Sequence, residues 1–301
     1  MDVISLTTAI FTGVATFVAW KQWRESKTHK LSAVQKNNSA NPSEDRNNLY
    51  AEVHARKTLR VGCLWYPPFV EYTQTEGNVT SSGLYPALLK QIARQENIEV
   101  HYKILKWDDA ILAIENRDVD VVACVLNSKR RRESCNLIGT LYRVGVGGVV
   151  KANQKKINHA SDLIRSDVRI AVTKGEIGWE YAERYLNLNG EPSRFTVIED
   201  TQITTMMQLV NSGKVDVAIA DSLSCSQYVS QAKDDDIYLK DIFAFSPLHV
   251  EDNSLMIAKN QPEFENWLSN GLKQARMNAE IIQLEKKVSK QYGNLLVRVP
   301  I

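Results

Sequence analysis

Residues 115–124 read ENRDVDVVAC, and residues 211–220 read NSGKVDVAIA. Each stretch is the polar end of a helix, a short turn, and then Val-Asp-Val entering an apolar run. A short apolar run bounded by turn signals and flanked by helical patterns reads as a buried strand of an α/β sheet. Working outward from the first copy, LRVGCL (59–64) is a strand ending at a Pro-Pro turn, and LYPALLKQIARQEN (84–97) sets Leu84, Leu88, Leu89 and Ile92 on one helical face. IEVHYKIL (98–105) alternates with period two, 107–116 is helical, and VDVVACVL (119–126) is the buried strand itself. Around the second copy, strands are expected at 168–172, 195–199 and 215–220, with helices at 178–188, 202–212 and 222–232. A strand at 254–258 and helices at 263–276 and 279–291 follow, and VGVGGVV (144–150) is apolar and glycine-rich. Helices alternating with short apolar strands predict an α/β fold with largely parallel sheets. The repeat predicts two lobes of similar build. Ligands of open α/β sheets collect beyond the carboxyl ends of the strands, which puts Leu126–Arg131 and Asp221–Ser222 around one cleft.

The chain has 301 residues, 44% hydrophobic and 24% charged, an ordinary globular composition that excludes a disordered or collagenous polypeptide. Lys plus Arg is 37 against 35 for Asp plus Glu, too balanced for a nucleic-acid binder. Lys21, Arg24, Lys27 and Lys30 against Asp2 and Glu25 place the whole excess in the first 30 residues. There VISLTTAIFTGVATFVAW (3–20) carries no charge, and Trp20 and Trp23 stand where an interfacial aromatic belt would lie. As a helix it would span about 27 Å, close to a hydrocarbon core of about 30 Å. It has no cation before the apolar run and no A-x-A-like site after it, so an uncleaved transmembrane anchor is expected rather than a secretory signal. Residues 1–30 are therefore read as anchor and basic flank, and 31–57, rich in Asn and Ser, as a flexible spacer. The flanking cations put the globular part in the cytoplasm, with the periplasmic or extracellular face as the alternative.

Cys63, Cys124, Cys135 and Cys225 show no C-x-x-C spacing, so neither zinc ribbons nor thioredoxin-type redox motifs are supported. Buried free thiols are expected, and no metal or other cofactor is called for.

LRVGCLWYPPF (59–69), KWDDAILAI (106–114), DVDVVACVLNSKRRRE (118–133), IAVTKGEIG (170–178) and KVDVAIADS (214–222) occur in an order that resembles the type 2 periplasmic-type solute-binding proteins. The resemblance is to the amino-acid-binding branch, family 3, of ABC-transporter binding proteins and covers about 58–292. It implies two α/β lobes joined by two crossover strands, near 146–150 and 247–253, that close on a small solute. Lobe 1 would comprise 58–147 and 251–301, and lobe 2 would comprise 148–250.

The resemblance also implies site residues. An aromatic after the first strand packs on the ligand in relatives; Trp65, Tyr66 or Phe69 stands there, Phe69 being read as closing the turn. Trp107 matches a second aromatic position, or is a core tryptophan at a helix start. Ser128 and Arg131 match a Thr-x-x-Arg element whose guanidinium takes a ligand carboxylate; the alternative for KRRRE is a solvated basic turn. Gly175-Glu176 stands where relatives cradle the carboxylate with Gly-Thr at a helix amino terminus; Glu176 could instead cap its own helix. Asp221 matches the aspartate that holds the ligand ammonium group, and is also a good helix amino-cap. Leu126 and Tyr85-Pro86-Ala87 depart from the family pattern, as does Arg130, which replaces an acid.

The expected function is thus a membrane-tethered, non-enzymatic solute-binding or sensing protein for a small amine- or carboxylate-bearing solute such as an amino acid. A permease or signalling partner is implied, and nucleic acid is not. The alternatives are a dehydratase-type enzyme on the same fold and a structural partner protein that binds no ligand. No nucleophile–base pair is readable among the motifs.

Overall fold

The computed structural model describes residues 48–199, 203–234, 238–292 and 296–299. The expected anchor at 3–20 lies outside these residues, as does most of the expected spacer. Among the described residues, no helix is long and apolar enough to cross a membrane.

The end of the expected spacer is not flexible chain. It forms helix α1 (Leu49–Arg56), which buries Leu49 and Val53, one turn apart. The backbone N–H of Leu49 donates to Gln261 Oε1 at 2.8 Å, which fixes the start of the helix to the rest of the fold. The signal is weak in sequence because only two of the eight residues, Leu49 and Val53, are buried.

In chain order there follow β1 (Thr58–Cys63), β2 (Glu71–Thr75), β3 (Asn78–Ser82), α2 (Leu84–Gln95), β4 (Glu99–Ile104), α3 (Ala110–Glu115), β5 (Val121–Leu126), α4 (Lys129–Ser134) and β6 (Cys135–Lys151). Then come β7 (Ile170–Thr173), α5 (Ile177–Tyr185), β8 (Phe195–Ile198), α6 (Ile203–Asn211), β9 (Val217–Asp221), α7 (Ser222–Asp234) and β10 (Leu239–Asp241). The chain ends with β11 (Val250–Ala258), α8 (Pro262–Ala275), α9 (Ala279–Tyr292) and β12 (Leu296–Arg298).

The fold is α/β and two-lobed, with strand order β4-β1-β5-β11-β6-β9-β7-β8. On one side β1 lies parallel to β4 and β5; on the other, β7 lies parallel to β8 and β9. The two sides share β6, whose residues from Cys135 to Gly145 pair with β11 and from Val146 to Val149 with β9, antiparallel in both cases. The glycines of this strand are where other chain passes close. A Cβ at Gly147 would lie 2.8 Å from Asp241 Oδ2, and one at Gly148 would lie 2.8 Å from a ring carbon of Phe243.

The repeated Val-Asp-Val has the same use on each side. Asp120 accepts the backbone N–H of Arg60 at 2.7 Å and its guanidinium at 2.8 Å, with Arg56 as a further partner. Asp216 accepts the backbone N–H of Arg169 at 2.8 Å and its guanidinium at 2.9 Å, with Lys156 at 2.9 Å. Each aspartate pins the entry of its core strand to the parallel strand beside it. Behind these pins, β5 and β9 are buried along their whole length, as continuous apolar runs require.

Candidate functional site

The carboxyl ends of β7 and β9, the turns after β1 and β4, and one face of α7 enclose a cavity of about 430 Å³. Its volume suits a small organic molecule. From the turn after β1 come Trp65 and Pro67, and from the turn after β4 comes Trp107. Trp65 is 40% exposed and meets Tyr72 edge-on, ring centres 5.2 Å apart. Tyr72 reaches the cavity from the hairpin β2–β3, which the sequence reading did not contain. Tyr66 is buried beneath, edge-on to Trp107 at 5.8 Å, with its hydroxyl beside Asp221. Phe69 lies in the core against Tyr66, Tyr85 and Tyr142, the turn-closing place expected for it.

Two acids face this aromatic wall. Glu176 precedes α5, and its Oε2 accepts the Gly178 backbone N–H at 2.8 Å while its Oε1 accepts that of Asp221 at 3.2 Å. Asp221 ends β9, and its Oδ1 accepts the backbone N–H groups of Leu223 and Ser224, each at 3.0 Å. Both residues therefore cap a helix and line the cavity at once. Burial, and then the neighbouring Asp221 charge, push the Glu176 carboxyl up to about 8, against its backbone donors and Arg131. Burial likewise raises Asp221, against the hydroxyls of Ser224 and Tyr66 and its backbone donors. The Tyr66 hydroxyl is driven well above the ordinary tyrosine range by burial and then by the Asp221 charge.

Ser128, Arg131 and Gly175 are brought together, but not onto the cavity wall. Ser128 Oγ accepts the Arg131 backbone N–H at 3.3 Å and caps α4. The Arg131 guanidinium is 2% exposed, donating from Nη1 to the Leu126 carbonyl at 2.6 Å and from Nη2 to the Gly175 carbonyl at 2.7 Å. Glu180 Oε1 lies 3.9 Å from it, and its plane stands over Trp107 at 5.7 Å. Arg131 thus ties the β5 side of the molecule to the β7 side. Arg130 and Arg132 are exposed, as expected.

Other ties cross at the same place. Lys174 Nζ reaches Asp108 Oδ2 at 3.0 Å, and Arg130 stands over Trp179 at 5.7 Å. Gly175 has φ +76°, and a Cβ there would lie 2.8 Å from the Asp108 backbone nitrogen, so only glycine lets the two turns meet this closely.

The remaining wall comes from Thr173, Met206, Ala220 and the α7 residues Ser224, Gln227, Tyr228 and Gln231. The last four recur at helical spacing. The sequence reading did not single them out; the position of Asp221 just before α7 is the signal that could have turned that face toward the cleft.

The model of the bacterial extracellular solute-binding proteins, family 3, matches residues 59–291. The chain is 26% identical over 189 residues to the L-cystine-binding protein TcyJ of Escherichia coli (strain K12), covering 62% of this chain and 67% of that protein. Among solved structures it is similar to the ancestral amino acid-binding protein AncCDT-1, a precursor of cyclohexadienyl dehydratase. The TM-score is 0.65 at 24% identity, over 80% of this chain and 98% of that one. It is also similar to a histidine kinase sensor domain with similarity to periplasmic binding proteins, with a TM-score of 0.66 at 16% identity, over 80% and 98%. These structural likenesses show the fold.

Proposed function

The chain belongs to the bacterial extracellular solute-binding proteins, family 3, and on that premise we propose that it binds a small amino acid-like solute between its lobes without chemically converting it. The observation that carries this is the cavity in which Glu176 and Asp221 face Trp65, Trp107 and Tyr228. A solute ammonium group would sit between the carboxylates, in a charge-assisted contact, with its apolar part on the rings. The matched relative TcyJ is named for binding cystine, which supports an amino acid-like solute.

Lobe 1 is proposed as 58–147 with 251–301, extended by α1, and lobe 2 as 148–250. The hinge would lie where β6 changes partner at Gly145–Val146, beside the start of β11. Closure about it would bring Trp65 and Trp107 onto a solute held by Asp221. A delivery role would use a permease as partner, and a signalling role would use the same closure. The proposed location is outside the cytoplasmic membrane, with 3–20 as the tether: the family description favours this alternative over the cytoplasmic side that the flanking cations suggest. Protease added to spheroplasts should then digest the domain.

The direct test is a thermal-shift screen of the full chain against amino acids and small amines. A binder raises the melting temperature with concentration. The expected result is at least one saturable shift that disappears in Asp221→Asn. A shift that survives that substitution would place the site elsewhere.

A further inference from the structure

Resting on that reading of the site, we infer that the solute is an organic cation recognised without a free carboxylate: an amine rather than a zwitterionic amino acid.

Anion-binding groups around the cleft are already in use. The backbone N–H of Gly178 in the first turn of α5 is bonded to Glu176 Oε2, so the protein's own carboxylate fills the place an anionic ligand would take. The N–H groups of Leu223 and Ser224 in the first turn of α7 are bonded to Asp221 Oδ1. The N–H of Arg131 is bonded to Ser128 Oγ. The Arg131 guanidinium is answered by the carbonyls of Leu126 and Gly175 and by Glu180, and does not line the cavity. Among the described residues of the cavity wall there is no Lys, Arg or His.

What the cavity offers instead suits a cation. Two carboxylates stand on one side, joined through the Asp221 N–H to Glu176 contact. Trp65, Tyr72, Trp107 and Tyr228 stand around them, and a cation over an aromatic face is attracted by the ring quadrupole. The Tyr66 hydroxyl is buried beside Asp221 and stands with it under the aromatic wall. A ligand carboxylate would meet no cation on this wall and would be buried beside Asp221, a costly placement.

Calorimetric titration of the full chain with matched pairs decides the matter: lysine against cadaverine, phenylalanine against 2-phenylethylamine, histidine against histamine. In the pairs that bind, the amine is expected at least tenfold tighter. In Glu176→Gln the amine should weaken and the amino acid should gain. An amino acid that binds as tightly as its amine, or more tightly, overturns the inference. If that binding is lost in Asp221→Asn, the site itself stands. If no compound of either kind binds, the inference and the site fall together.

Discussion

The backbone N–H of Asp221 donates to Oε1 of Glu176 at 3.2 Å. The ends of β9 and of the β7–α5 turn are thereby locked so that two carboxylates share one cavity. Without a cation between them, each makes the other harder to ionise.

That relationship sets a pH dependence. The folded state holds the Glu176 proton up to about 8, whereas an unfolded glutamate releases it near about 4.3. In this window the native state binds more protons than the unfolded one, so the contribution is full below the unfolded value and is lost as pH rises through about 8. Chemical denaturation of the ligand-free protein between pH 5 and about 8.5 should show stability falling, and Glu176→Gln should flatten that fall. The Asp221 charge is the second cause of the Glu176 shift, after burial, so Asp221→Asn should lower the pH at which the fall ends.

Arg131 is predicted to be a structural tie. Arg131→Ala leaves the carbonyls of Leu126 and Gly175 without their donor and Glu180 without its cation. A loss of about 3 kcal/mol is expected from breaking a buried, hydrogen-bonded charge. Because one of these bonds crosses between the two sides of the cleft, the radius of gyration from X-ray scattering should also rise. By contrast, Lys174→Ala removes an exposed, solvent-screened tie to Asp108 and should leave stability nearly unchanged.

The two Val-Asp-Val aspartates should differ in cost. The Asp120 side chain is fully buried between Arg56 and Arg60, so Asp120→Asn is expected to cost about 3 kcal/mol. Asp216 is itself partly exposed, unlike Asp120, and Asp216→Asn should cost about 1 kcal/mol. Although partial burial opposes it, the bonds from Arg169 and Lys156 hold the Asp216 carboxyl well below the ordinary aspartate range. Its contribution is therefore present above about pH 4, the unfolded value, and is lost as pH falls below it. Denaturation curves of both variants at pH 7 and about pH 3 check the ranking and the sign.

Helix α1 is predicted to be part of the fold. Val53 is fully buried, and Val53→Ala should cost about 2 kcal/mol. A chain begun at residue 58 should lose more than one begun at 48, as read by urea denaturation.

Much of this was legible from the residues. β5 and β9 were readable because continuous apolar runs after a helix end have few other uses, and the place of Asp221 because it closes such a run just before a helix; Glu176 was reached only through the family resemblance, which left open whether it faces the cleft. The hairpin β2–β3 was not readable: its strands are polar and mostly exposed, and its turn, Glu76-Gly77, has positive φ at both residues without the usual Asn or Asp. Nor was the setting of Arg131. The sequence places it beside the cleft, but whether its guanidinium meets a ligand or the Gly175 carbonyl depends on how closely two turns distant in sequence approach. The α7 face escaped for a related reason, since a polar stripe is the same in sequence whether it meets bulk water or a cavity.

The most direct test of the central claim, a solute cation held by Asp221 in the aromatic-lined cleft, is calorimetric titration of the wild-type chain and of Asp221→Asn with the amines that shift its melting temperature. The account predicts saturable binding with one site per chain in the wild type, weakened at least about thirtyfold in the variant, about 2 kcal/mol or more. Equal affinity in the two proteins would contradict it.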